Sequence, residues 1–212
     1  MSEVARRDLI RVTLGSLLCF SFPFAALAEG SSRSCIDLDA GSVEQEICRD
    51  DGLFALEEAM QKLLVEAFPK SLVGARSSFA GEQLRWKRGR DDCLNTTDRR
   101  QCLVERYRLR VAEIQARYGL VTATGPFTYV CQEAPPDEVV ATFFATDPPS
   151  LVATRAGKTS FMLLTLGPGG ARYRGPHESL QERGQEARIT WDPVASEMFC
   201  RKKPKVPDAE KP

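Results

Sequence analysis

Between Ser34 and about Leu120, apolar positions recur every three or four residues; after Pro126 they recur every second residue. The first period is that of a helix with one buried stripe, the second that of a half-buried strand. Leu53, Leu56, Met60, Leu63, Leu64 and Phe68 trace one helical stripe, with Asp50 and Asp51 placed to cap it and Pro69 to end it. A second helix is expected over Ala75–Cys93, where Phe79, Trp86 and Cys93 repeat. The third has Asp98 as cap with Gln101 three residues on, then Leu103, Tyr107, Val111, Ile114 and Tyr118 on one face. Three amphipathic helices with short connections predict an antiparallel bundle.

The strand pattern opens with Phe127, Tyr129 and Cys131 and continues through Val139–Phe144, Leu151–Thr154 and Thr159–Leu166. Arg155-Ala-Gly-Lys158 is a hairpin signal between the last two of these. Ala171–Arg174, Ala187–Trp191 and Glu197–Arg201 follow, giving about seven or eight short strands with glycine and proline turns. That pattern predicts a small antiparallel barrel or sandwich. The expected fold is therefore α+β in two domains: helical over 29–118, a linker over 119–125, a β-barrel over 126–203 and a disordered tail over 204–212.

The start of the chain bears on compartment. Arg6, Arg7 and Arg11 precede the apolar run Val12–Phe24, and Ala26-Leu27-Ala28 follows as a small-x-small cleavage pattern. This predicts a signal peptide over 1–28 and a periplasmic or secreted mature protein. Lipid attachment at Cys19 is the competing reading, but Leu17 and Leu18 stand where small residues are expected before a lipidated cysteine. No later stretch is apolar enough for a membrane span. Cleavage leaves six of the seven cysteines: Cys35, Cys48, Cys93, Cys102, Cys131 and Cys200. In an exported chain these predict three disulfides. An antiparallel bundle favours pairing Cys48 with Cys93 and Cys35 with Cys102, which leaves Cys131 with Cys200. With no Cys-x-x-Cys and His177 as the one histidine, nothing calls for a zinc site or another cofactor.

Acidic and basic residues balance at 29 each, so bulk charge gives no reason to expect a nucleic-acid partner. Charge recognition must be local, and the local concentration is Gly167-Pro-Gly-Gly-Ala-Arg-Tyr-Arg-Gly175 with Glu182-Arg-Gly-Gln-Glu186. Arg172 and Arg183 are placed there for display at one end of the β-domain, where a guanidinium offers a planar fork to carboxylates.

Two resemblances follow from these residues. Cys35, Glu44, Ile47, Cys48, Leu53, Leu56, Gln83-x-x-Trp86, Arg90-Asp91-x-Cys93, Cys102-Leu103 and Tyr107-x-x-Arg110 resemble the LprI-type domain over about Cys35–Tyr118. That resemblance implies a periplasmic or secreted helical domain, connected in some members with lysozyme inhibition. Read on their own chemistry, Trp86, Arg90 and Asp91 suit packing and a surface ion pair. Tyr129-x-Cys131, Gly169-Gly-Ala-Arg-Tyr173, Arg183-Gly-Gln-Glu-Ala187 with Ile189 and Trp191, and Cys200-x-Lys202 resemble the C-type lysozyme inhibitor family, MliC/PliC. It implies an antiparallel barrel whose loops enter the cleft of c-type lysozyme, with Gly169, Gly170, Ala171, Arg172, Tyr173 and Arg183 at the contact. The family pattern inserts a serine and a lysine; here Gly169 stands at the serine and Arg183 at the lysine.

The expected function is thus a non-enzymatic lysozyme inhibitor. An envelope module that contacts peptidoglycan or another periplasmic protein is the alternative. A hydrolase would need Glu182 and Glu186 as a carboxylate pair, without a nucleophile motif or metal cluster to assist them.

Overall fold

A computed structural model describes residues 35, 37–71, 76–131, 137–167, 169–192 and 194–204. The expected leader over 1–28, Cys19 and the tail beyond residue 204 lie outside the described residues. Lys202 and Lys203, at the start of the charged C-terminal stretch, are structured, with Lys202 in the last strand.

The helical part begins with a helix the periodicity did not reveal, α1 (Val43–Arg49), capped by Ser42, whose hydroxyl accepts from the Gln45 amide at 3.2 Å. Seven residues with two buried positions, Val43 and Ile47, are too few for a readable stripe. Asp50 ends α1 and caps α2 (Asp51–Ala67), its carboxylate accepting from the Leu53 amide at 2.9 Å. Leu53, Met60 and Ala67 repeat every seven residues on the buried face of α2, and Pro69 lies in the 3-10 turn Phe68–Lys70 that ends it. After α3 (Arg76–Asp91) a second 3-10 turn, Asp92–Asn95, leads to α4 (Arg99–Arg117). Asp98 caps α4, accepting from the Gln101 amide at 2.9 Å, and Leu103, Tyr107 and Ile114 of the expected stripe are fully buried.

The preferred cysteine pairing in this part is corrected. The bridges are Cys35–Cys48 and Cys93–Cys102, separated by 13 and 9 residues, rather than Cys48–Cys93 and Cys35–Cys102. The cause is local. Cys48 lies within the short α1, which precedes the first long helix and places it near Cys35. The 3-10 turn brings Cys93 to a Cα distance of 5.6 Å from Cys102 in the first turn of α4. Short loops also cost less entropy to close than the helix-to-helix bridges would.

Several residues of the LprI-type pattern meet in one buried network. The Arg90 guanidinium, 1% exposed, donates to Glu44 at 2.6 Å, to Asp91 at 2.7 Å and to the Tyr107 hydroxyl at 3.2 Å, and lies 5.7 Å from the Trp86 ring centre. Tyr107 in turn donates to Glu57. Beside it Arg110, also buried, donates to Gln83 at 3.2 Å and to Glu113 at 2.8 Å. A buried guanidinium is tolerated only when its donors are satisfied, so this pattern of residues is explained by folding. The expected surface ion pair joins a buried guanidinium to carboxylates that stay about half exposed.

The eight strands close into a barrel in which each is antiparallel to the next and the last returns to the first. They are β1 (Ala123–Cys131), β2 (Asp137–Phe144), β3 (Ser150–Arg155), β4 (Lys158–Gly167), β5 (Gly170–Arg174), β6 (Ser179–Arg183), β7 (Glu186–Thr190) and β8 (Met198–Lys202). Strand β1 takes its first three residues from the stretch expected as a linker. Strand β6 was absent from the sequence-based strands, because Ser-Leu-Gln-Glu-Arg offers a single apolar position; nevertheless Ser179, Leu180 and Gln181 are all buried. Alternate residues fill the interior, among them Tyr129, Val139, Ala141, Leu151, Met162, Leu180 and Ile189. The Arg155–Lys158 hairpin turns through Ala156 and Gly157, both at positive φ (47° and 75°), the two-residue geometry that fits strand twist. Cys131 and Cys200 sit opposite one another in the β1–β8 ladder and are bridged across 69 residues of chain. A loop of that length corresponds to about 4 kcal/mol of denatured-state entropy in the chain model.

The helices have their own buried cluster, separate from that of the barrel. Helix α4 packs against β3, and Arg108 makes a two-point contact with Asp147, at 2.6 and 3.2 Å, on the connection between β2 and β3.

Candidate functional site

In an up-and-down barrel alternate connections share an end. The β2–β3, β4–β5 and β6–β7 connections therefore gather at one rim, beside the start of β1 and the end of β8. Both glycine-rich segments singled out in the sequence form hairpins here. Gly167 pairs with Gly170, and Arg183 with Glu186. Gly170 at φ +92° and Gly184 at φ +63° take backbone conformations that favour glycine.

The two hairpins are tied to each other through a backbone carbonyl. Gly169 O accepts from Gln181 Nε2 at 2.6 Å and, more weakly, from Arg183 Nη2 at 3.5 Å. Gln181 Oε1 accepts from Arg172 Nη2 at 3.0 Å; Arg172 also pairs with Glu197 at 3.4 Å, and Glu197 with Arg188 at 3.5 Å. This chain explains why a glutamine on the outer face of β6 is only 6% exposed. It also separates the two arginines expected to be displayed. Arg172 is half-buried and committed to Gln181 and Glu197, so its expected display is corrected: its guanidinium braces the hairpins. Arg183 is exposed, and among the described residues no carboxylate comes within ion-pair reach of it.

Gly169, Gly170 and Ala171 are exposed at the neighbouring tip. Tyr173 faces the other way, half-buried in the barrel mouth with its ring 5.3 Å from Phe143 in an edge-on contact, and Phe143 lies 6.1 Å from Phe127. Burial raises the Tyr173 phenol above its ordinary pKa, with the charge of Glu182 adding to the effect. Tyr173 is therefore an aromatic support beneath the tips.

Glu182 and Glu186 do not form a carboxylate pair. The register places Glu182 opposite Ala187 and Arg183 opposite Glu186, so the two glutamates point to opposite faces of the sheet. Glu182 turns into the mouth and pairs with Lys202, whose ammonium sits 3.9 Å from the Phe127 ring centre and 5.5 Å from that of Tyr129. Glu186 turns outward to Arg201 at 3.4 Å. His177 is an exposed residue of the β5–β6 connection, its amide donating to Glu178 at 3.2 Å. Among the described residues no group of three or more His, Cys, Asp or Glu side chains could hold a metal ion, and no helix is long and apolar enough to cross a membrane.

Sequence reasoning missed Gln181, Glu197 and the inward Glu182–Lys202 pair. Lys202 carried a signal as the last residue of Cys200-x-Lys202, and Glu182 only as half of a candidate carboxylate pair; Gln181 and Glu197 are polar side chains whose roles depend on pairings between strands distant in sequence.

No family model and no solved structure matches the chain. Among curated proteins it is 32% identical over 149 residues to lipoprotein LprI of Mycobacterium bovis, covering 68% of this chain and 71% of that protein. Lipoprotein LprI from two strains of Mycobacterium tuberculosis matches to the same extent. The matched length exceeds everything before Ala123 and everything after it, so the likeness takes in helices and barrel strands together.

Proposed function

The chain belongs to the LprI family, and from that premise we propose that it is an envelope protein that inhibits lysozyme by inserting the β4–β5 and β6–β7 hairpins of its barrel into the enzyme's cleft. The single observation that carries this reading is the exposed Arg183 guanidinium at a barrel rim, beside the exposed Gly169 tip and with no carboxylate within ion-pair distance among the described residues, although Glu186 stands opposite it in the β6–β7 register. Lysozyme cleaves its glycosidic bond between two carboxyl groups. An inhibitor needs no reaction; it has to fill the cleft and satisfy that charge. A guanidinium can do so with two parallel hydrogen bonds, at a site desolvated by the surrounding tip.

In this reading the contact comprises Arg183, Gly169, Gly170 and Ala171, with Arg172 and Tyr173 as supports behind them. The target is a c-type lysozyme, as the MliC/PliC-like residues of the barrel suggest. The helices (29–118) and the barrel (126–203) act as two domains, a division supported by their separate buried clusters. The mature chain begins after Ala28 and resides in the periplasm or outside the cell; the lipoprotein name of the relatives agrees with an envelope address.

A turbidity assay on bacterial cell walls, with mature protein titrated against egg-white lysozyme, tests the proposal. Slowed lysis at micromolar protein is expected, and undiminished lysis rules that enzyme out as target. The alternative, an envelope module that holds peptidoglycan, draws on the glycine at position 169, where the inhibitor pattern has a hydroxyl. Retention on purified sacculi would favour it, since a cleft inhibitor has no reason to stay on the wall.

A further inference from the structure

The two tips of the proposed contact stand on strands that part before they reach the rim. Strands β5 and β6 pair backbone to backbone at Tyr173–Leu180 and Arg174–Ser179, and among the described residues that ladder runs no further. Each tip is held within its own hairpin, by the Gly167–Gly170 and Arg183–Glu186 pairs. Between the hairpins, Gly170–Arg172 and Gln181–Arg183 continue to the rim with no ladder joining them. A hollow of about 360 Å³ lies here, lined by Gly169, Gly170, Arg172 and Gln181 among others.

One side chain crosses this gap and uses both ends of its amide to do so. Gln181 donates through Nε2 to Gly169 O at 2.6 Å and accepts through Oε1 from Arg172 at 3.0 Å. A buried amide needs partners, but partners on any element would meet that need. Both of these belong to the opposite hairpin. Arg183 lies two residues further along the same face of β6 and reaches the same Gly169 oxygen at 3.5 Å. The carbonyl that Gln181 holds is therefore also the atom against which the Arg183 guanidinium rests.

We propose that Gln181 is a positioning residue for the contact: it replaces the missing part of the β5–β6 ladder, sets the spacing of the two tips and fixes Arg183 beside Gly169 before a partner arrives. The partner's identity rests on the lysozyme reading above. A cleft that must receive both tips at once binds only the fraction of molecules whose tips are in register, and affinity falls with that fraction. Gln181 itself, 6% exposed, stays behind the contact. Its loss should therefore slow association and leave dissociation nearly unchanged, the reverse of losing a contact group.

The test is surface plasmon resonance of the full mature protein on egg-white lysozyme, with melting curves to verify folding, for the wild type, Arg183→Ala, Gln181→Met and Gln181→Glu. Methionine matches glutamine in length and removes both hydrogen bonds. Glutamate still accepts from Arg172, cannot donate to Gly169 O, and sets a carboxylate beside Arg183 that competes with the partner's. The expected results are binding about fivefold weaker for Gln181→Met and at least about tenfold weaker for Gln181→Glu, both through slower association, against faster dissociation for Arg183→Ala. If Gln181→Met folds, melts lower and binds like the wild type while Arg183→Ala weakens binding, Gln181 serves folding alone and the tip reading stands. Faster dissociation in the Gln181 variants would make it a contact and overturn the positioning role. If Gln181→Met fails to fold, Gln181→Glu decides by the same criteria. If the wild type fails to bind, the tip reading and this inference fall together.

Discussion

Replacing Gly169 by serine should strengthen inhibition. A Cβ at this position would meet nothing within 4 Å, and the residue is not in the positive-φ region, so a serine side chain fits without clash or strain. Its backbone carbonyl is already held by Gln181 at 2.6 Å, which fixes where the new hydroxyl would project. A hydrogen bond from that hydroxyl to an ionised catalytic carboxylate contributes about 1.5–3 kcal/mol. At about 1.4 kcal/mol per factor of ten, this corresponds to roughly 10- to 150-fold tighter binding. Isothermal titration of Gly169→Ser and Gly169→Ala against egg-white lysozyme is the assay. The alanine variant supplies the same backbone restriction without the hydroxyl and should bind like the wild type. Equal affinity for the serine variant and the wild type would refute the placement of position 169 against a carboxylate, as would an equal gain from alanine.

Truncating Arg90 to alanine should destabilise the helical part by about 3 kcal/mol, the low end for removing one partner of a buried ion pair, because Glu44 and Asp91 are about half exposed and can rehydrate. A melting temperature lowered by about 6–12 °C checks this. The same network gives a pH dependence. Burial raises the Glu44 pKa, but its hydrogen bond to and the charge of Arg90 outweigh that and hold it below its ordinary 4.5. A depressed carboxylate stabilises the fold above 4.5 and loses that stabilisation as pH falls through its lower folded value, so Arg90→Ala should flatten the acid limb of the stability profile. Lys202→Ala should cost about 1–3 kcal/mol by leaving Glu182 without its cation in the barrel mouth, read as a lower melting temperature that Lys202→Arg largely restores. Mass spectrometry of exported protein should find a mature chain beginning at Glu29; a lipid adduct on Cys19 would contradict that.

What could be read from the sequence was whatever repeats along the chain. Helices α2 and α4 carry caps at Asp50 and Asp98 and stripes several turns long, and strand β2 is dense in β-branched and aromatic residues. The remainder depends on contacts the linear pattern does not carry. Helix α1 is too short to show a period, and missing it led to the wrong pairing for Cys48, which bridges to Cys35. Strand β6 looks polar because Gln181 is buried by hydrogen bonds to Gly169 and Arg172, partners that barrel closure supplies. At the rim, two arginines in similar glycine-flanked settings looked equivalent. Glu197, arriving from the connection to β8, engages Arg172 and leaves Arg183 exposed.

The measurement that bears most directly on the whole account is the dissociation constant of the mature protein for c-type lysozyme with arginine and with alanine at position 183, taken by calorimetry with the variant's fold verified by its melting curve. Loss of a charge-assisted contact to a desolvated carboxylate should weaken binding by at least about tenfold. Indistinguishable constants for the two proteins would contradict it.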